Sequence, residues 1–372
     1  MHNSPTTTDS DGSNTLRIAY FISPHGYGHA ARSSAVMEAI HALDPTIHFE
    51  IFTQVPRWFF ADSLTQPFGY HPLLTDIGLA QKTSLIEDLP ETIKRLDGFI
   101  PFDPPQLETL ARQLEQLECQ LILCDISPLG IAVAQEMDLP AILIENFTWD
   151  WIYQGYPEYS RQMDGHIAYL QRLFKTADYH IQTKPVCDHR AVDLTTTPVS
   201  RKVRSTPAKI RQKLDIPNGA KLVMMTMGGM NWDYSFLERL KHLGEIVLVA
   251  AGNTEKTEHR GNLILLARNS GIFHPDLVNA CDAVVGKTGY STLAEVYQAG
   301  VPFGYVSRPA FREAPVMADF VQATMHGLPF SEAELQNGSW LSKLPELLAL
   351  PRIQRDDGNG ADQIARFILS VA

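Results

Sequence analysis

"LRIAYFISPHGYGHAARSS", residues 16–34, is the stretch on which the reading of the fold turns. Its first seven residues form an apolar run of strand length. A loop follows with two glycines, Gly26 and Gly28, and two histidines, His25 and His29. Beyond the loop, Val36, Ile40 and Leu43 recur at i, i+4 and i+7, which predicts a helix over 30–43. A strand that runs through a glycine loop into a helix is the opening unit of a doubly wound α/β sheet, and phosphate-cradling loops sit there. Yet Ala31 stands where the third glycine of G-x-G-x-x-G belongs. That leaves the histidines to be explained by phosphate, metal or proton transfer. No further histidine or acidic run stands at a metal-ligand spacing, so no metal is expected. A histidine at the mouth of a strand suits proton abstraction near neutral pH, and a purely structural role competes with that reading.

The same alternation continues along the chain. "HFEIFTQ" (48–54), "LILCD" (121–125), "AILIEN" (141–146) and "YHIQT" (179–183) are strand-like and separated by helical patterns. A second series runs through "KLVMMTM" (221–227), "EIVLVAAGN" (245–253), "NLILLA" (262–267), "DAVVG" (282–286) and "PFGYVS" (302–307). Near-continuous apolar strands between helices indicate parallel sheets covered on both faces. Polar, basic, proline-bearing sequence separates the two series. The expected division is a disordered tail (1–14), a Rossmann-like domain (15–195), a linker (196–209), a second Rossmann-like domain (210–355) and a C-terminal helix (356–372) that must dock on something. In such a pair the cleft between the domains is the expected site.

Composition narrows the function classes. The 372 residues carry 42 acidic and 31 basic side chains, a formal net charge of −11, which disfavours binding to nucleic acid. No apolar run is long enough to span a bilayer, although peripheral membrane contact stays open. The four cysteines form no C-x-x-C pair and the N-terminus has no signal-peptide pattern, so a reducing cytoplasm is expected.

Several residues could carry chemistry. Asp125 ends the "LILCD" strand, where it could cap the next helix or hold an imidazole in its basic tautomer. No G-x-S-x-G elbow accompanies it, against a hydrolase of the usual α/β type. Gly228 and Gly229 in "TMGGMN" follow the first strand of the second series, where the chain must turn or touch a ligand. "GKTGYSTLAEVYQAGVP" (286–302) follows a strand and opens a helix. There Thr292-x-x-Glu295 reads as a capping box, and the helix start reads equally as a diphosphate site with Glu295 on a ribose diol.

Together these stretches resemble the GT-B-type inverting nucleotide-sugar glycosyltransferases over nearly the whole chain. "PHGYGHAARS" is similar to the first-loop motif of plant-type UDP-glycosyltransferases and of the peptidoglycan N-acetylglucosaminyltransferase. "KTGYSTLAEVYQAGVP" is similar to their donor signature. A closer likeness is to the glycosyltransferase-like N-terminal region of plant arabinokinases, carried by the first loop, "NFTWDWIY" (146–153) and "RPAFREAP" (308–315). The resemblance implies two Rossmann-like domains facing across a cleft, with His29 as the base and Asp125 as its partner. It places Gly289, Ser291 and Thr292 on the diphosphate and Glu295 on the ribose. Lys287 replaces the usual histidine that opens the donor signature. Glu313-Ala314 stands where many plant-type enzymes have Asp-Gln for the donor sugar.

The expected reaction is therefore metal-independent transfer of a sugar, with inversion, from a nucleotide diphosphate donor, UDP-linked by preference, to an acceptor hydroxyl. No cofactor is called for, since the nucleotide sugar is a substrate. Gly228 and Gly229 would help hold the diphosphate. Gly28, Asn146, Trp149 and Trp151 are the acceptor-side candidates, with core packing or a domain-facing lid as the competing role for the aromatic rings. A nucleotide-sugar 2-epimerase and a non-catalytic nucleotide-sugar sensor or scaffold are the rival readings.

Overall fold

The computed structural model describes residues 15–83, 86–227, 244–251, 255–267, 270–307 and 311–372. The tail expected at 1–14 and the Gly228–Gly229 loop lie outside them.

Nine strands belong to the first half. They are β1 (Arg17–Ile22), β2 (His48–Thr53), β3 (Gly69–Pro72), a small hairpin of β4 (Gln81–Thr83) and β5 (Ile86–Glu87), β6 (Leu121–Asp125), β7 (Ala141–Glu145), β8 (Tyr179–Thr183) and β9 (Leu194–Thr196). All but the hairpin form a parallel sheet in the order β3-β2-β1-β6-β7-β8-β9. The second half contributes β10 (Lys221–Thr226), β11 (Ile246–Ala251), β12 (Glu258–Arg260), β13 (Leu263–Leu266), β14 (Ala283–Lys287), β15 (Phe303–Val306) and β16 (Gly327–Phe330). Their order is β12-β13-β11-β10-β14-β15-β16, with only β12 antiparallel. Chain direction across each sheet reverses at one place, between β1 and β6 and between β10 and β14. Those switch points open the crevices where doubly wound sheets bind ligands.

Every strand expected from sequence is present, and six others were not expected: the hairpin strands β4 and β5 and four edge strands. β3, β9, β12 and β16 are the sheet edges, three or four residues long and too short for an apolar run. Because β9 ends at Thr196, the segment expected as a linker at 196–209 begins inside a strand. It also ends inside a helix, Pro207–Lys213.

The first helix runs Tyr27–Leu43, three residues earlier than its apolar spacing predicts. Gly26 precedes it at φ 81° and ψ 177°, a conformation open essentially only to glycine. This helix is buried nearly all round from His29 to Met37. Sheet one lies on one side, and two later helices, Tyr290–Ala299 and Gly360–Val371, pack on the other. The C-terminal helix thus returns to the first half. Asn359 caps it and donates Nδ2–H to the Ser200 carbonyl, while Ile364 and Ile368 are fully buried.

Candidate active site

The first helix should be apolar at buried positions, but three of them are Arg32, Ser33 and Ser34. Arg32 is 1% exposed, and Asp125, at the end of β6, is fully buried. Asp125 does not cap the next helix. Ser127 does, its Oγ accepting the Gly130 N–H. The carboxylate turns instead to the first helix. Its Oδ1 accepts from His29 Nδ1 at 2.8 Å and from Arg32 Nη2 at 2.7 Å. Its Oδ2 accepts from Arg32 Nε at 2.7 Å and from Ser33 Oγ at 3.2 Å. Four bonds use the lone-pair directions a carboxylate offers, so its orientation is set.

This bonding assigns the Nδ1–H tautomer to His29 and leaves Nε2 as the accepting nitrogen. Burial pushes the imidazole below its ordinary range, Asp125 pulls it back up, and the Arg32 charge pushes it down again. The net effect is downward, so His29 is a neutral base at neutral pH. Burial works against ionising Asp125, but Arg32 and His29 together outweigh it and hold the carboxyl below its usual range. Phe147 packs edge-on to the His29 ring at 6.1 Å.

The other half meets this pair at the start of the helix Tyr290–Ala299. Gly28 lies so close that a Cβ there would stand 3.8 Å from Ser291 Oγ. Gly289 precedes the helix and Lys287 ends β14, so Gly289, Ser291 and Thr292 surround N–H groups that have no intrahelical acceptor. The capping box read from Thr292 and Glu295 does not form. The helix begins at Tyr290, which puts Thr292 inside it, with no side-chain cap. Glu295 is buried and turns to charged partners: Oε1 accepts from Arg201 Nε at 3.0 Å, and Oε2 from His274 Nδ1 at 2.5 Å. A charge-assisted pair out of water is worth more to a buried carboxylate than a neutral cap. Glu313 opens the helix Glu313–Thr324 and accepts Asn146 Nδ2–H at 2.8 Å, a bond between the two halves.

The aromatic candidates are packed rather than open. Trp149 is 1% exposed, stacked with Tyr153 and met edge-on by His25 at 5.2 Å. Trp151 is covered by the Arg312 guanidinium at 4.1 Å, and Arg312 Nη1 also bonds the Trp151 carbonyl. The structure therefore gives these rings core and inter-half contacts. Two residues were missed from sequence. Arg32 stands within the quoted first-loop stretch but reads there as a helix surface. Asp76, in "LLTDIG", follows β3 and carries no motif; it accepts from Ser23 Oγ at 3.1 Å, and burial pushes its carboxyl up to about 7. Among the described residues no three His, Cys, Asp or Glu side chains converge as a metal would require, and no helix is long and apolar enough to cross a membrane.

The family model for glycosyl transferase family 1 matches residues 16–345, both sheets and the site between them. The chain belongs to that family. It is a glycosyltransferase of GT-B fold. It is 25% identical over 368 residues to L-arabinokinase of Arabidopsis thaliana, covering 98% of this chain and 35% of that one. The family member thus spans about a third of the curated relative it matches. The glycosyltransferase of kitacinnamycin superposes with a TM-score of 0.61 at 15% identity, over 96% of this chain and 99% of that one. Arabidopsis thaliana UGT89C1, solved with UDP, superposes with a TM-score of 0.61 at 13% identity, over 96% and 99% of the two chains. At such identities the likeness speaks for the fold.

Proposed function

We propose that this glycosyltransferase moves a sugar from a nucleotide diphosphate donor, UDP-linked by preference, to an acceptor hydroxyl with inversion and without a metal ion. The observation that carries the reading is the His29–Asp125 hydrogen bond beside the start of the helix Tyr290–Ala299, where Gly28 approaches Ser291. His29 Nε2 takes the acceptor proton as the hydroxyl oxygen attacks the anomeric carbon. The bond from that carbon to the diphosphate breaks, and its electron pair leaves with the phosphate oxygen. Asp125 stabilises the imidazolium so formed. The N–H groups after Gly289, the hydroxyls of Ser291 and Thr292, and the Lys287 ammonium receive the departing charge. Glu295, beside His274, is the proposed partner of a ribose hydroxyl. Glu313 faces the donor sugar. Gly228 and Gly229, outside the described residues, stay with the diphosphate by the resemblance alone, and the acceptor is proposed to enter on the Gly28 and Asn146 side.

The test is a screen of UDP- and GDP-sugars for released nucleotide, with His29→Ala beside the native protein. Replacing the base lowers turnover by roughly 10²–10⁴-fold with donor binding retained. Equal turnover in the two proteins would remove His29 from the mechanism. Binding of a UDP-sugar without turnover, including hydrolysis, would favour a sensor over an enzyme.

A further inference from the structure

A buried carboxylate bonded to a histidine favours the protonated imidazole, which works against its use as a base. Here burial opposes that first, and the third member of the cluster adds to it. Arg32 forks both oxygens of Asp125, at 2.7 Å each, with Nε and Nη2. Its remaining nitrogen, Nη1, donates to Asn146 Oδ1 at 2.7 Å. Asn146 in turn donates to Glu313 Oε1 at 2.8 Å. The guanidinium also lies over the Tyr290 ring, 4.8 Å from its centroid, so a residue of the second half covers it.

We propose that Arg32 is a positioning residue for the base: its guanidinium locks Asp125 against His29 and, through Asn146, ties that pair to Glu313 across the two halves of the enzyme. The proposal rests on the reading of His29 as base. With Arg32 present the resting cluster of His29, Asp125 and Arg32 is neutral overall, the favourable state for a buried group. Taking the acceptor proton makes it cationic, which suits a step that releases an anion nearby. The charged groups acting on the His29 ring are Asp125, from β6, and Arg32, one turn along its own helix. Asp76, Tyr20 and Tyr290 face Asp125 or Arg32 instead. A lysine cannot replace the arginine, because a single ammonium cannot fork one carboxylate and reach Asn146 as well.

The experiment is an NMR titration of the histidine ring protons, with His29 assigned by its loss in His29→Gln, paired with pH profiles of nucleotide release. Native protein is compared with Arg32→Gln, Arg32→Lys and Asn146→Ala. In Arg32→Gln the His29 titration and the acid limb of kcat/KM both move to higher pH, since the Arg32 charge opposes protonation of the ring. Arg32→Lys, which keeps a charge at the site should the glutamine variant not fold, moves both the same way by less and lowers kcat about tenfold. Asn146→Ala leaves the fork to Asp125 intact, so its titration stays while kcat falls. An unmoved His29 titration in the folded Arg32 variants overturns the positioning role, whether or not the protein turns over. Native kcat in Asn146→Ala overturns the tie to Glu313. If His29→Gln keeps native turnover, the base reading itself has failed, and the titration still decides what Arg32 does to the ring.

Discussion

Asp125 and Asp76 are two buried carboxyls of opposite character, and pH separates them. Asp125 is held below its ordinary range, because Arg32 and His29 together outweigh the opposing effect of burial. A depressed folded-state value means its stabilisation is complete above the unfolded-state value and is lost as pH falls below about 4. Asp125→Asn leaves the guanidinium of Arg32 buried without a counter-charge. Urea denaturation at pH 7 is expected to show a loss of about 3–5 kcal/mol. Asp76 behaves the other way. With its carboxyl raised to about 7 by burial, the folded state binds the extra proton, so stability falls as pH rises from about 4 to 7. Asp76→Asn keeps an acceptor for Ser23 and cannot ionise. Its urea midpoint is expected to match the native protein at pH 5 and exceed it at pH 8. A lower midpoint at pH 8 would show that the carboxylate is held by partners rather than opposed by burial.

At the scale of elements, the base pair depends on how closely a helix lies on the sheet. The helix Pro128–Met137 begins just after Asp125, and its third residue, Gly130, faces the central strands. A Cβ there would come within 2.6 Å of Cys124 Sγ and 2.8 Å of Phe21 Cβ. Gly130→Ala therefore lifts the helix from β1 and β6 and shifts the end of β6 that presents Asp125. A destabilisation of about 1–3 kcal/mol is expected from overpacking, with a drop in kcat larger than in a surface Gly165→Ala control. Equal kcat in the two would separate the helix seat from the base. No motif in the sequence marks this glycine; the strands beneath it give it its reason.

For the whole molecule, the decisive contact is the return of the C-terminal helix. Ile364 and Ile368 sit in a core that continues from the first helix into the second half. The helix packs on the first helix and closes that side of the core. Ile364→Ala is expected to cost about 2–5 kcal/mol by thermal or urea unfolding. Between the halves, Arg201 pairs with Glu295 of the second half and donates Nη1–H to Ser63 Oγ of the first at 3.0 Å, so the basic segment after β9 is a strap rather than a free linker.

Strand by strand, the two parallel sheets were legible because buried parallel strands are apolar along their whole length, as "RIAYFI" and "LILCD" are. His29 and Asp125 were legible as candidates because each ends or follows such a run, and the resemblance then paired them. The edge strands were not legible, since a three- or four-residue edge makes few contacts and needs little pattern. Nor was the role of Arg32 or Asn146. They lie 114 positions apart in sequence and join through one 2.7 Å hydrogen bond. The capping motif at Thr292 was legible and wrong, because a buried arginine from another segment offered Glu295 a stronger partner. Local sequence determined which segments are strands and which loops carry polar chemistry, since burial pattern and turn chemistry are short-range properties. Which polar side chains share a proton, and which half covers which, was decided only by tertiary structure. Those are matters of contact between segments far apart in the chain, and burial sets the energy of each.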